Sequence, residues 1–376
     1  MQPATSLFLD FLRFFAACVV FLHHVTSRDL NQVLPYVRWG HEAVVVFFVL
    51  SGFVIAHVVS SRERVVSQYA AARLGRLYSV VLPALILTAL LDPLGRSLSP
   101  ELYVSMPGDH ASLRLLINFV FLQENWNLTT MPLSNGPFWS LGFEFWYYLI
   151  FGAAVLTHGR MRIALPLLFC ACAGPRIVAF LPVWLLGVLA YRFYHSWNPT
   201  LRVQRLLLLS NVMALLSILL LGNPLSPVRN ELHLMFPGNY LDLGFVRIFL
   251  GDIPLLPEDL LLGALIGLLI ITIRGEIKMG AAIERMANFV RYLAGATFTL
   301  YLFHVPLLYF MSAWLNIDRT SALEIGTMAL MVFVFCIFLS YLGERQVAHY
   351  RKFFLYLFDR INAMRSLRKG GMVSAR

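Results

Sequence analysis

Apolar residues in this chain come in long unbroken runs, not in the strict alternation of a half-buried strand. A run of about 20 apolar residues can cross a bilayer core of about 30 Å. The pattern predicts about ten such spans, near 7–26, 41–60, 77–92, 138–157, 162–174, 176–192, 204–222, 259–273, 292–312 and 323–343. The fifth and sixth are short and meet at Gly174-Pro175, which predicts a broken or re-entrant pair. The apolar piece 113–122 is too short to span and is expected inside the bundle or at the interface. The fold class that follows is all-α: a polytopic transmembrane helical bundle over residues 1–343, with a basic tail over 344–376. The first run ends in paired histidines without a small-residue cleavage pattern, so it reads as a permanent helix and not a secretory signal.

Composition agrees, with 59% hydrophobic and 13% charged residues. A net charge of +10 would suit a nucleic-acid binder, but in a membrane chain Lys and Arg mark the cytoplasmic loops. Segments 61–76, 158–162, 192–205, 274–291 and 344–376 hold 4, 2, 3, 4 and 8 of them, and alternation puts all five on one side with the N-terminus. The opposite loops hold 8 and are rich in Asp and Glu. Both termini are therefore expected in the cytoplasm, with loops 93–137 and 223–258 outside and the tail at the headgroups. No nucleic-acid partner is expected. Cys18, Cys170, Cys172 and Cys336 all sit in apolar runs, as small core residues and not as a disulfide framework or metal site.

Ionisable residues within apolar runs are costly in lipid, and they face a partner or a cavity. The first such stretch holds Arg13, His23 and His24. At about 100° per residue, Arg13 and His24 fall within about 20° of each other, roughly 16 Å apart along the axis, and His23 points about 80° away. One reading is structural, with Asp10 neutralising Arg13. The other makes His24 a base or nucleophile and Arg13 an anion-binding group. In 47–55, Ser51-Gly52 lets another backbone approach closely, and His41 and Glu42 lie at the outer mouth of that helix. Arg73 and Arg76 are three apart, either a phosphate clamp or plain positive-inside flanking. The fourth stretch carries Trp139, Ser140 and Glu144, and an intramembrane glutamate needs a partner, for which His24 is a candidate. The fifth puts Tyr301 and His304 on one helix face, as core or pocket groups.

In this order the five stretches resemble the acyltransferase-3 family of bacterial membrane O-acyltransferases. Arg13 and His24 match its arginine, ten residues, histidine motif. Residues 47–55 resemble its FFVLSGF-type segment, and Arg73 with Arg76 its R-x-x-R motif. Trp139-Ser140-Leu141 with Glu144 resembles its WSL-x-x-E segment, and Tyr301 to His304 its SLYL-x-H segment. Two positions depart: Phe145 stands where members often have a second acid, and Ala43-Val44-Val45-Val46 where they often read Gly-Val-Asp-Leu. Some members carry a further soluble C-terminal domain, and the tail here is too short for one.

The resemblance implies a ten-helix enzyme of the bacterial inner membrane that moves an acyl group, commonly acetyl from acetyl-CoA, onto a hydroxyl of a saccharide or glycolipid. It bears no permanent cofactor, and the polysaccharide-synthesis machinery is an expected partner. By position His24 is the catalytic histidine, Arg13 its partner, and Arg73 with Arg76 face acyl-CoA; from the residues themselves Glu144 is expected to assist His24, and Trp139, Ser140, Tyr301 and His304 to meet substrate. His24 would act as a base or carry the acyl group covalently. Arg13, deeper toward the cytoplasm, and His24, toward the outside, would be two stations on one acyl path. A transporter or export-coupling protein without acyl chemistry would use the same spans and intramembrane charges. In a sensor or lipid-binding scaffold, Arg13 and His24 would serve folding alone.

Overall fold

The computed structural model of the chain describes residues 2–63, 65–242, 247–274 and 281–373. Arg64, Lys278 and Arg376, members of the basic flanks, lie outside these stretches. The described helices are α1 (Pro3–Val25), α2 (Gly40–Ser61), α3 (Val66–Leu98), α4 (Ala111–Phe119), α5 (Trp139–Leu156), α6 (Met161–Ala173), α7 (Pro175–Ser196), α8 (Leu201–Leu221), α9 (Ser226–Met235), α10 (Leu256–Thr272), α11 (Ala281–Ala294), α12 (Thr297–Trp314), α13 (Ala322–Leu339) and α14 (Val347–Val373). A two-stranded antiparallel hairpin, β1 (Tyr240–Asp242) with β2 (Arg247–Phe249), pairs Leu241 with Ile248.

Among the described residues, eight helical segments are long and apolar enough to cross a membrane, and a ninth span forms if the bent pair α11–α12 counts as one. The remaining difference from the ten-span expectation is α6. Its 13 residues fall short of a bilayer core, and Gly174, at a φ of 92°, turns the chain straight into α7. The third span is longer than its apolar run. Helix α3 starts at Val66, where Ala70-Ala71-Ala72 favours helix, so Arg73 and Arg76 stand inside the helix and not at its entry. The basic tail forms α14, and its first turns lie on α3: a Cβ added at Gly75 would come 2.8 Å from the Arg351 nitrogen, and Phe354 meets the Tyr78 ring at 5.6 Å.

The tightest crossing joins α2 and α7. A Cβ on Gly52 would run into the Trp184 carbonyl, and one on Gly187 into the Val49 carbonyl. Two glycines thus let the backbones touch reciprocally, the close approach expected of Ser51-Gly52. Trp184 itself is fully buried.

Buried polar side chains fix the ends. Asp92 accepts from the Ser134 backbone N–H and hydroxyl at 2.7 Å each, and Asn135 donates to the Leu302 carbonyl at 2.8 Å. These bonds hold the start of α5 against the end of α3 and against α12, so Ser140 and Tyr301 are set face to face. Nearby, Arg176 pairs with Glu124 and reaches Asp252 at 3.3 Å. A 53° bend at Gly295-Ala296 separates α11 from α12. Glu344 accepts from the Phe298 backbone amide at 2.8 Å, which caps the start of α12.

Candidate active site

A cleft inside the bundle, with about 640 Å³ of non-atom space including its mouth, collects side chains from α1, α2, α3, α5 and α12. Arg13, Arg73 and Arg76 supply its positive charge, Glu144 its carboxylate, and Ser51, Ser140, Tyr148 and Tyr301 its hydroxyls. Arg73 and Arg76 come from the first half of α3. Ser140 comes from the first turn of α5, which begins at the opposite end of the bundle.

The three arginines are not equivalent. Arg73 donates to both Glu63 oxygens at 3.0 Å, and both side chains are buried. Arg13 sits 3.8 Å from Asp10, the neutralising neighbour expected from the sequence, and still lines the cleft. Arg76 has no carboxylate within 4 Å among the described residues, though Glu144 and Glu344 lie within electrostatic reach, and its guanidinium lies 4.6 Å over the Phe298 ring. Stacking leaves the edge N–H groups of a guanidinium open for a planar or phosphate acceptor. Arg76 is therefore the cation best placed to receive an anionic ligand.

Glu144 finds its partners in hydroxyls. Ser51 donates to Oε1 at 2.9 Å, and Tyr148, one helical turn on, donates to the same oxygen. The couple with His24 weighed from the sequence is not formed. Ser140 and Tyr301 hydroxyls meet at 2.8 Å. Trp139 does not line the cleft; its ring lies parallel to His41, at 6.4 Å, and His41 in turn bonds Asp259 at 2.9 Å. Phe145 stacks on Phe121 with centroids 4.6 Å apart.

His24 lies outside the cleft lining, toward the far end of α1. Its Nδ1 is 2.9 Å from the Val20 carbonyl and 3.1 Å from Nε2 of His304. His304 is fully buried, three residues beyond Tyr301 on α12, and its Nδ1 is 2.8 Å from the Leu300 carbonyl. His23 is used differently: its Nδ1 holds the Val37 carbonyl at 2.7 Å, and its ring covers Gly40. The two adjacent histidines divide as helical phase predicts, one to the loop and one to the bundle.

The structure thus gathers Arg13, Arg73, Arg76, Glu144, Ser140 and Tyr301 at one cleft, sets His24 on His304 beyond Tyr301, and leaves Trp139 to one side. Sequence reasoning missed Tyr148, Glu63, Phe298 and Glu344 as parts of the site, and it read Ser51 as packing. Tyr148 was legible, four residues from Glu144 on one face. The contacts of Glu63 and Phe298 with the arginines cross a helix break or long sequence separations, and no local pattern marks them.

Comparisons with known proteins agree with the motif order. An O-acetyl transferase of Shigella phage Sf6 is 27% identical over 218 residues, 50% of this chain, and the match spans 63% of that relative's length. No solved structure matches the chain. Residues 6–343 match a family described as an acyltransferase domain, and the chain belongs to this acyltransferase-3 family.

Proposed function

We propose that the protein is a bacterial inner-membrane O-acyltransferase that moves an acyl group, acetyl in the simplest case, from acyl-CoA to a saccharide or glycolipid hydroxyl. The N-terminus lies in the cytoplasm and α1 and α2 cross out and back, so the donor enters from the side on which α3 begins. The observation that carries this reading is the cleft itself: three arginines, one of them with no carboxylate within ion-pair distance among the described residues, lead toward hydroxyls and then to a histidine pair. The phage relative's description supports the acetyl group.

In this scheme Arg76 takes a donor phosphate, Arg73 stands behind it on Glu63, and Arg13 adds positive potential along the path. Glu144, held by Ser51 and Tyr148, and the Ser140–Tyr301 pair orient the pantetheine arm and acyl end. The acceptor reaches His24 from the outside, past the first turns of α5 and α2, which carry Trp139 and His41. His24 takes the proton from the acceptor hydroxyl as that oxygen attacks the thioester carbonyl. The carbon–sulfur bond breaks, the CoA thiolate leaves, and the proton returns to it from His24. The products are the ester and free CoA.

Membranes supplied with labelled acetyl-CoA test the assignment. CoA release with label in saccharide is the expected result; a transporter without acyl chemistry gives neither. His24→Ala at wild-type protein level should abolish transfer, and unchanged acylation in that variant would overturn the scheme.

A further inference from the structure

The contact between His24 and His304 does more than fill space, because two backbone carbonyls dictate where its protons lie. His304 Nδ1 faces the Leu300 carbonyl at 2.8 Å. A carbonyl accepts and cannot donate, so in the neutral ring this nitrogen carries the hydrogen and Nε2 carries the lone pair. That lone pair points at His24 Nδ1, 3.1 Å away. His24 Nδ1 also faces the Val20 carbonyl at 2.9 Å. Both neighbours of His24 Nδ1 are acceptors, so it must be the protonated nitrogen as well. Its N–H is shared between them, and the lone pair of His24 falls on Nε2. No hydrogen bond engages that nitrogen among the described residues, and the ring is half-buried.

We propose that His304 is the positioning residue of the transfer reaction. It fixes His24 in the Nδ1–H tautomer and aims Nε2 outward as the base. This is the job an acid performs for the histidine of a hydrolase triad, done here by a second, neutral imidazole. The arrangement also explains why Glu144 is free to serve the cleft instead: His24 already has its orienting partner. When Nε2 receives the acceptor proton, the imidazolium that forms keeps its Nδ1–H bond to a neutral ring, so no second charge is buried. Phe21 packs edge-on against His304 at 5.9 Å and His23 against His24 at 4.9 Å, which limits the rotation of both rings. The inference rests on the acyl-transfer reading, but the tautomer can be read without turnover.

Two polar substitutions separate orientation from packing. In the His304→Gln variant the amide oxygen can reach the place of Nε2 and accept from His24. In His304→Asn the shorter amide reaches only the place of Nδ1. With labelled acetyl-CoA in native membranes, His304→Gln should stay within a few-fold of wild type. His304→Asn should lose about 10- to 100-fold in kcat, part of the roughly 10²–10⁴ that a positioned base supplies, with the donor KM unchanged. Its pH–rate profile should change shape, because a misoriented ring exposes a mixture of tautomers. Equal losses in the two variants, or no loss in His304→Asn at any pH, overturn the proposal. A direct readout needs neither variant to be active: ¹⁵N signals of wild-type histidines, with His24 assigned by the signal lost in His24→Gln, should report Nδ1–H. An Nε2–H signal for wild-type His24 overturns the proposal even if acyl transfer is confirmed, and so does an Nδ1–H signal that persists unchanged in His304→Asn, where the Val20 carbonyl alone would set the tautomer; an Nδ1–H signal that gives way to a mixture in His304→Asn sustains it even if the substrates prove different.

Discussion

Arg73 and Arg76 look like twins in the sequence, and the structure gives them different fates under substitution. Removing Arg73 leaves the Glu63 carboxylate buried without its bidentate partner, now at 3.0 Å on both oxygens. Breaking a buried ion pair from one side costs about 3–5 kcal/mol, a large part of the roughly 5–15 kcal/mol that holds a domain folded. Arg76→Ala breaks no ion pair within 4 Å; it loses a stacking contact on Phe298, at 4.6 Å, and a positive neighbour of the buried Glu344. What it loses is a charge-assisted bond to an incoming phosphate, worth about 1.5–3 kcal/mol. At about 1.4 kcal/mol per tenfold, that is a rise of about 10- to 150-fold in donor KM. The assay is CoA release from labelled acetyl-CoA in membranes, with protein level and thermal stability measured in parallel. Arg76→Ala should lose less protein level than Arg73→Ala and raise KM. Arg73→Ala should lose protein level, and Arg73→Met with Glu63→Gln should regain it at near wild-type KM. A double variant that raises KM as far as Arg76→Ala does would refute the division, and both arginines would then be one clamp.

Two further outcomes concern stability. Gly187→Ala should push α2 from α7, because its methyl meets the Val49 carbonyl; overpacking of this kind costs about 1–3 kcal/mol, and an unchanged melting temperature in detergent would contradict the crossing. Glu124 lies in the loop before α5, beside Arg176 and Asp252, and burial pushes its carboxyl up to about 7 against the pull of Arg176. The folded chain therefore keeps this proton where the unfolded chain, near 4.5, has released it. The stability it contributes is present at low pH and lost as pH rises through about 7. The wild-type melting temperature should fall relative to Glu124→Gln between about pH 5 and 7.5, and parallel curves would refute this.

Much of this protein is written in local pattern. The apolar runs determine an all-helical membrane bundle, because a bilayer admits few ways to satisfy a buried backbone. Helical phase alone separates His24 from His23, since 100° per residue is a property of the backbone and needs no neighbour. Motif order led to the family. What the sequence left open is everything decided between distant segments. Helix α6 has only 13 residues, yet it runs from the end of α5, where Arg162 donates to the Ala154 carbonyl, to the loop before α5, where Asn125 donates to the Cys172 carbonyl; α3 extends back to Val66, which carries both arginines into the bundle. Glu144 settles on Ser51 of α2, 93 residues away, and His24 on His304, 280 residues away. A hydrogen bond requires particular atoms within about 3 Å, and only the packing of whole helices sets such distances. Tertiary structure thus chose the partner of each charge, made Arg73 structural and left Arg76 open.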